Sequence, residues 1–173
     1  KQTITSGDWI VRDILQVDEA RREVIIQTAS RVEGRNPYYC DICRVQMDTG
    51  ELTTLLSSDE NLLVHYQDSF DVLFKGYFGE PNGVSPDGNY IVLTRSRVDQ
   101  APVSLLIDRD GNTLMELEVT DTSTLPSGWT WPEPIQAMAA DGLTPLYGVL
   151  FRPSHFSPDK QYPVINFIDG DPS

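Results

Sequence analysis

The run Tyr38-Tyr-Cys-Asp-Ile-Cys-Arg-Val-Gln-Met47, followed by Asp48-Thr-Gly50 and then Leu52-Thr-Thr-Leu-Leu56, decides the fold class. The first part has strand composition, and so does the last. Between them, Asp and Gly supply the unusual backbone angles of a tight hairpin. Upstream, Trp9 to Val17 and Glu23 to Ser30 are two further β-favourable runs. Helical periodicity is scarce throughout. What recurs is a short β-rich run, a turn signal and another run.

Four hairpin-linked strands in about 50 residues match one blade of a β-propeller. A second set follows. Asp71 to Phe78 is a candidate first strand, and Ser85-Pro-Asp-Gly88 is a turn with Pro and Gly at the positions that suit them. Asn89 to Arg97, Val103 to Asp108 and Thr113 to Val119 complete it, with Asp108-Arg-Asp-Gly111 as a hairpin signal. The two sets form a weak repeat with a period of roughly 60 residues. Ser57 to Asp68, polar and containing Asp59-Glu60, is expected to be an exposed or helical excursion that lengthens it.

The texture then changes. Residues 121–134 are rich in Pro, Ser and Thr and read as a linker. Ile135 to Ala139 and Leu146 to Arg152 flank Asp141-Gly142, which suggests another hairpin. Pro153 to Gln161 reads as a loop. Tyr162 to Ile168 is nearly continuously apolar, as in a strand buried on both faces of an α/β sheet. The chain stops five residues later, at Ser173, which reads as a cut within a longer polypeptide. The expectation is an all-β chain. Residues 1–120 form two four-stranded antiparallel blade-like sheets, and 135–173 supply a hairpin and a strand from the start of another domain.

Among 173 residues, 13 Lys and Arg stand against 26 Asp and Glu, a net charge of −13. Phosphate binding needs a cationic surface, so nucleic acid is disfavoured as a partner, and so are anionic membrane surfaces. No apolar run approaches the roughly 20 residues of a membrane-spanning helix. Cys40 and Cys43 form a C-x-x-C, but positions three apart on a strand point to opposite faces. They read as ordinary strand cysteines rather than a redox pair or half of a zinc site.

Catalytic patterns are missing. There is no G-x-S-x-G, no phosphate-cradling glycine motif and no paired metal-ligand spacing. His65 and His155 fall in expected loops or at element edges, where a surface role is the plainer reading. Asp108-Arg-Asp110-Gly-Asn112 begins like a calcium loop but lacks the downstream glutamate and the flanking helices, so it reads as a hairpin turn. Asp18-Glu19 and Asp59-Glu60 read as solvated turns. Trp129 and Trp131 read as packing residues, with stacking on a ligand as the alternative, and Trp9 reads as core. No catalytic residue, cofactor or metal is assigned.

Several stretches, taken in order, resemble dipeptidyl peptidase IV-like members of the prolyl oligopeptidase family. They are Thr5-Ser-Gly-Asp-Trp9-Ile-Val, Val24-Ile-Ile-Gln-Thr-Ala-Ser30, Tyr39-Cys-Asp-Ile-Cys-Arg-Val45, Ser85-Pro-Asp-Gly88-Asn-Tyr, Ser96-Arg-Val-Asp-Gln-Ala-Pro102, Asp141-Gly142, Leu146-Tyr-Gly-Val-Leu-Phe-Arg-Pro153 and Phe156-Ser-Pro-Asp-Lys-Gln-Tyr-Pro163. The resemblance implies the last blades of an eight-bladed propeller and the opening strands of an α/β-hydrolase domain. It implies a parent protein in which the propeller filters peptide substrates and a serine peptidase domain cleaves after proline or alanine near the N-terminus. The catalytic Ser, Asp and His would lie beyond Ser173, and the paired glutamates that hold the substrate amine before Lys1. Asp169 would stand where the family has the tyrosine whose hydroxyl helps form the oxyanion hole. An ionised carboxylate there would repel a developing oxyanion.

The chain is therefore expected to be a non-catalytic part of an exported, periplasmic or extracellular serine exopeptidase. The alternatives are a peptide- or protein-binding propeller module of an inactive paralogue, and a free-standing β-repeat scaffold. Two blades cannot close a ring, so an open arrangement is expected, with dimerisation through unpaired strand edges as a possible partner mode.

Overall fold

A computed structural model of the chain describes residues 3–64 and 83–167. The chain divides into two units, Lys1–Thr124 and Leu125–Ser173, and the division falls inside the Pro/Ser/Thr-rich stretch.

In the first unit, β1 (Ile10–Asp18), β2 (Glu23–Ala29), β3 (Cys40–Gln46) and β4 (Leu52–Leu56) form one antiparallel sheet in sequential order. A second sheet has the same meander: β5 (Asn61–Leu63), β6 (Tyr90–Arg97), β7 (Gln100–Asp108) and β8 (Thr113–Val119). The all-β class and the two blade-like sheets stand as read from the sequence. One expectation is corrected. Within Ser57 to Asp68, Asn61–Leu63 is neither an excursion nor helical. It pairs with the end of β6, Asn61 opposite Ser96 and Leu63 opposite Thr94. The polar neighbours Asp59 and Glu60 hid a three-residue strand too short to show alternation. The candidate strand Asp71 to Phe78 lies outside the described residues, as does His65.

Apolar side chains from both sheets make one core. Leu15, Ile25, Ile42 and Leu55 of the first sheet pack with Leu62, Val64, Val84, Ile91, Leu93, Leu105 and Ile107. Ile42, Leu62, Ile91 and Ile107 are fully buried. Each such side chain contributes about 1.5–3 kcal/mol relative to exposure. β2 and β3 are buried on both faces because their alternate residues meet a second, smaller cluster. Ile26, Cys43 and Val45 pack there under Trp9, Val24 and Leu52. Cys40 and Cys43 are free, buried and three apart on β3, which fits their reading as strand cysteines.

Three of the four outer strands carry register shifts. β1 has two against β2, β4 one against β3 and β8 two against β7. Bulges twist an edge and spoil it as a template for another chain, so they count against dimerisation through these edges.

In the second unit, β9 (Glu133–Met138) and β10 (Pro145–Leu150) form the expected hairpin around Asp141-Gly142. The strand expected from Tyr162 is not found. Residues 162–167 pair with no strand among the described residues, and Val164, Ile165 and Phe167 are 85%, 94% and 89% exposed. A strand is defined by its ladder, and apolar composition alone supplies no partner. Ile168 and Asp169 lie outside the described residues.

Candidate functional site

The meander sorts the connections of the first unit onto two rims. At one rim lie the tight turns: β1 to β2, β3 to β4, β7 to β8, and Ser85-Pro-Asp-Gly88 leading into β6. At the other lie the 31–39 loop between β2 and β3, the 57–60 segment joining the sheets, the β6–β7 hairpin and the end of β8. Chemistry-bearing side chains gather at both.

The loop rim is organised by a buried ion pair. Asp41 sits inside β3 and is fully buried, in a position the strand pattern alone would give to an apolar residue. Arg35 reaches back from the loop and donates from Nη1 to Asp41 Oδ1 at 2.8 Å, both side chains being at most 5% exposed. Nη1 also donates to Ser57 Oγ at 3.0 Å and to the Ser58 carbonyl at 2.9 Å. Nη2 reaches the Tyr39 carbonyl at 3.4 Å. Ser57 Oγ in turn donates to Asp41 Oδ1 at 2.6 Å. Asp41 Oδ2 accepts no hydrogen bond and has Arg31 Nη1 at 3.9 Å. Arg31 instead donates to Cys43 Sγ at 2.9 Å and Thr54 Oγ1 at 3.1 Å, with its guanidinium 5.9 Å from the Trp9 ring centroid. Burial pushes the Cys43 thiol up, and that of Cys40 as well. Thiols so placed are poor nucleophiles.

The same rim is stitched across to the second sheet. Arg97 holds Asp99 through Nε at 2.8 Å and Nη2 at 2.6 Å, and those bonds keep the Asp99 carboxyl below its ordinary range. Arg97 Nη1 also reaches the Asp59 carbonyl at 3.4 Å. Gln100 donates to Glu60, which has Arg95 Nη1 at 3.7 Å. Of Asp59-Glu60, read as solvated from the sequence, Asp59 is exposed, but Glu60 is an anchor, 15% exposed.

The turn rim holds a small pocket lined by Gln16, Asp18, Glu23, Ile25, Arg44, Gly88 and Arg109. Its charges are matched. Glu23 pairs with Arg109 and lies 3.9 Å from Arg44, while Arg44 donates to the Arg109 carbonyl at 2.7 Å and to Asp110 at 3.2 Å. Gln16 donates to the Ser85 carbonyl at 3.0 Å, fastening the two sheets together. Asp18 binds Arg21 and is held below its ordinary range by it.

Asp108-Arg-Asp110-Gly-Asn112, read from the sequence as a hairpin turn, uses its first carboxylate internally. Asp108 Oδ1 accepts from the backbone N–H of Asp110 and of Asn112, both at 2.9 Å, and Oδ2 from Asn112 Nδ2 at 2.9 Å. Those bonds lower its pKa. Among the described residues no three His, Cys, Asp or Glu side chains come together as a metal site. In the second unit, His155 is an exposed loop residue whose carbonyl accepts from the Tyr162 hydroxyl at 3.2 Å. Trp129 and Trp131 pack edge to face at 4.7 Å. Among the described residues no helix is long and apolar enough to cross a membrane.

The sequence reading brought neither Arg35 nor Asp41 forward. A signal existed: an acid flanked by Cys40, Ile42 and Cys43 in a strand must find a cation, and Arg31 and Arg35 are the nearest in sequence.

No family model matches the chain. Two curated relatives named dipeptidyl-aminopeptidase B, from Aspergillus clavatus and Emericella nidulans, are each 28% identical over 174 aligned residues. The alignments cover 98% of this chain and 17% of each relative, so the chain spans about a sixth of their length. A crystal structure from Bacteroides ovatus named for dipeptidyl aminopeptidase IV superposes with a TM-score of 0.63 at 23% identity. It covers 94% of this chain and 20% of the other. The resemblance to dipeptidyl peptidase IV-like proteins therefore holds in sequence, and the fold is shared.

Proposed function

We propose that this chain is a non-catalytic framework segment of a serine exopeptidase of the dipeptidyl peptidase IV-like kind. In this reading its two sheets are adjacent propeller blades covering residues 1–120. Residues 121–134 are the linker, and 135–173 open the α/β-hydrolase domain. The blades gate and orient peptide substrates, and the parent protein works in the periplasm or outside the cell. The observation that carries the reading is that alignment to dipeptidyl-aminopeptidase B runs across 98% of the chain, through both sheets and the hairpin unit. The two sheets also pack face to face on one apolar core, as successive blades do. The test is turnover of a Gly-Pro chromogenic anilide by the full-length parent. Release of the chromophore, abolished by an organophosphate serine reagent, supports the reading, and an inert parent refutes it.

Asp169 favours a second reading. If it stands at the oxyanion-hole tyrosine position, the parent is a propeller that binds peptides or proteins without cleaving them. Such a parent would bind a proline-containing peptide yet leave the anilide intact. Replacing Asp169 with Tyr separates the two, because only a site lacking that one donor gains turnover.

A further inference from the structure

We propose that Asp110-Gly111 is a site of spontaneous covalent modification, where the aspartate isomerises to isoaspartate through a succinimide. Asp-Gly is the dipeptide most prone to this chemistry, because glycine puts no side chain beside the attacking nitrogen. The sequence has four, Asp87-Gly88, Asp110-Gly111, Asp141-Gly142 and Asp169-Gly170, and the last lies outside the described residues. The other three sit in turns of closely similar backbone. Their glycines have φ of 68°, 87° and 68° in chain order. Each glycine N–H donates to the carbonyl three residues before it, at 2.8, 3.0 and 3.0 Å. What separates the three is the aspartate carboxylate.

Asp87 Oδ1 accepts from Ser85 Oγ at 2.6 Å and from Asn89 N at 3.1 Å, and Oδ2 accepts from Asn89 Nδ2 at 2.8 Å. Asp141 Oδ1 accepts from the backbone N–H of Leu143 and of Thr144, both at 2.9 Å, and Oδ2 from Thr144 Oγ1 at 2.6 Å. At the third turn Asp108 takes such donors instead, the Asn112 backbone N–H and Nδ2. Among the described residues the Asp110 carboxylate meets only Arg44 Nη1, at 3.2 Å, and its side chain is 67% exposed. A single exposed ion pair restrains a side chain little. Packing meanwhile keeps glycine at 111, because a Cβ there would collide with the Leu55 carbonyl oxygen. In the reaction the Gly111 nitrogen attacks Cγ of the protonated Asp110 carboxyl. The N–Cγ bond forms, the carboxyl hydroxyl leaves as water with the amide hydrogen, and a five-membered ring closes. Water then adds to the ring carbonyl next to Cα and breaks its bond to nitrogen. Gly111 stays joined through Cγ, and the freed carboxylate sits on Cα. Water is the only co-reactant.

The experiment incubates the folded full-length protein, warm and in mildly acidic buffer, and locates isoaspartate by peptide mapping with electron-transfer fragmentation. A portion held in denaturant runs in parallel. In the unfolded chain the three dipeptides should isomerise at similar rates, because the turn hydrogen bonds are gone. In the folded protein isoaspartate at 110 should accumulate at least about 10-fold faster than at 87 or 141, since each hydrogen bond that a carboxylate must shed slows ring closure by about 3- to 10-fold. Thr144→Val deletes one of those bonds and should raise the rate at 141 by about 3- to 10-fold while leaving 110 unchanged. A folded-state rate at 87 or 141 equal to or above that at 110 would overturn the inference. So would an absence of isoaspartate at 110 while the unfolded portion accumulates it, or an unmoved rate at 141 in Thr144→Val. The same ranking in the unfolded chain would overturn it too, by making the order a property of sequence rather than of the turns.

Discussion

Replacing Arg35 with Met should destabilise the first unit severely, and the structure says by how much. The substitution keeps most of the side-chain volume but removes the guanidinium that is 2.8 Å from Asp41 Oδ1. Asp41, at 1% exposure, is left with the Ser57 hydroxyl and an arginine at 3.9 Å. Breaking one side of a buried pair costs about 3–5 kcal/mol, because the remaining charge stays desolvated. Counting bonds gives a similar figure. The charge-assisted bond to Asp41 is worth roughly 1.5–3 kcal/mol and the bonds to Ser57 Oγ and the Ser58 carbonyl about 1 each. Urea unfolding followed by far-UV circular dichroism reads this directly. With a slope of about 2 kcal/mol per molar, the midpoint should fall by about 2 M. The double variant Arg35→Met with Asp41→Leu leaves neither charge of the pair stranded and should recover much of the loss, giving a coupling of about 2–4 kcal/mol. Arg35→Met costing under about 1 kcal/mol, or a double variant as unstable as the sum of its singles, would refute the reasoning.

Other consequences can be checked with the same protein. A Cβ on Gly111, which has φ of +87°, would meet the Leu55 carbonyl oxygen at 2.0 Å, whereas one on Gly34, at +76°, meets nothing within 4 Å. Gly111→Ala should therefore cost well over the roughly 1–2 kcal/mol of the backbone conformation alone, and Gly34→Ala about that amount, both by urea melts; equal losses would contradict the contact. Cys40 and Cys43 should resist a disulfide-exchange reagent in native buffer and react together in denaturant, and fast native labelling of Cys43 would mean that its burial under Trp9 is wrong. Asp87, Asp99 and Asp108 all have lowered pKa values, so what they contribute is present above the unfolded value near 4 and is lost as pH falls below it. The melting temperature of the first unit should be level above about pH 5 and fall below about pH 4, and a rise there would reverse the sign. Asp141, held at about 2 by Thr144 and Leu143, should titrate far below an ordinary aspartate in a carbon-detected NMR titration.

Most of the fold was legible because hairpin chemistry is local. Asp48-Thr-Gly50, Ser85-Pro-Asp-Gly88 and Asp108-Arg-Asp-Gly111 fix the turns, and the runs between them have little choice but to pair antiparallel. The misreadings share a cause. Asn61–Leu63 becomes a strand only because the end of β6 is beside it, whereas residues 162–167 have no such neighbour among the described residues. Pairing is a property of two segments, and composition describes one. The site was less legible still. The pairs that organise the loop rim, Arg35 with Asp41 and Gln100 with Glu60, span 6 and 40 residues of sequence, so no spacing rule finds them. Asp41 alone left a trace, as an acid in an apolar strand.

The most direct test of the account compares this 173-residue chain with its full-length parent, side by side, for labelling by a fluorophosphonate serine probe and for release of dipeptides from a proline-containing peptide. The parent should label and release dipeptides, and the chain should do neither. Probe labelling and peptide cleavage by the chain alone would contradict its assignment as framework.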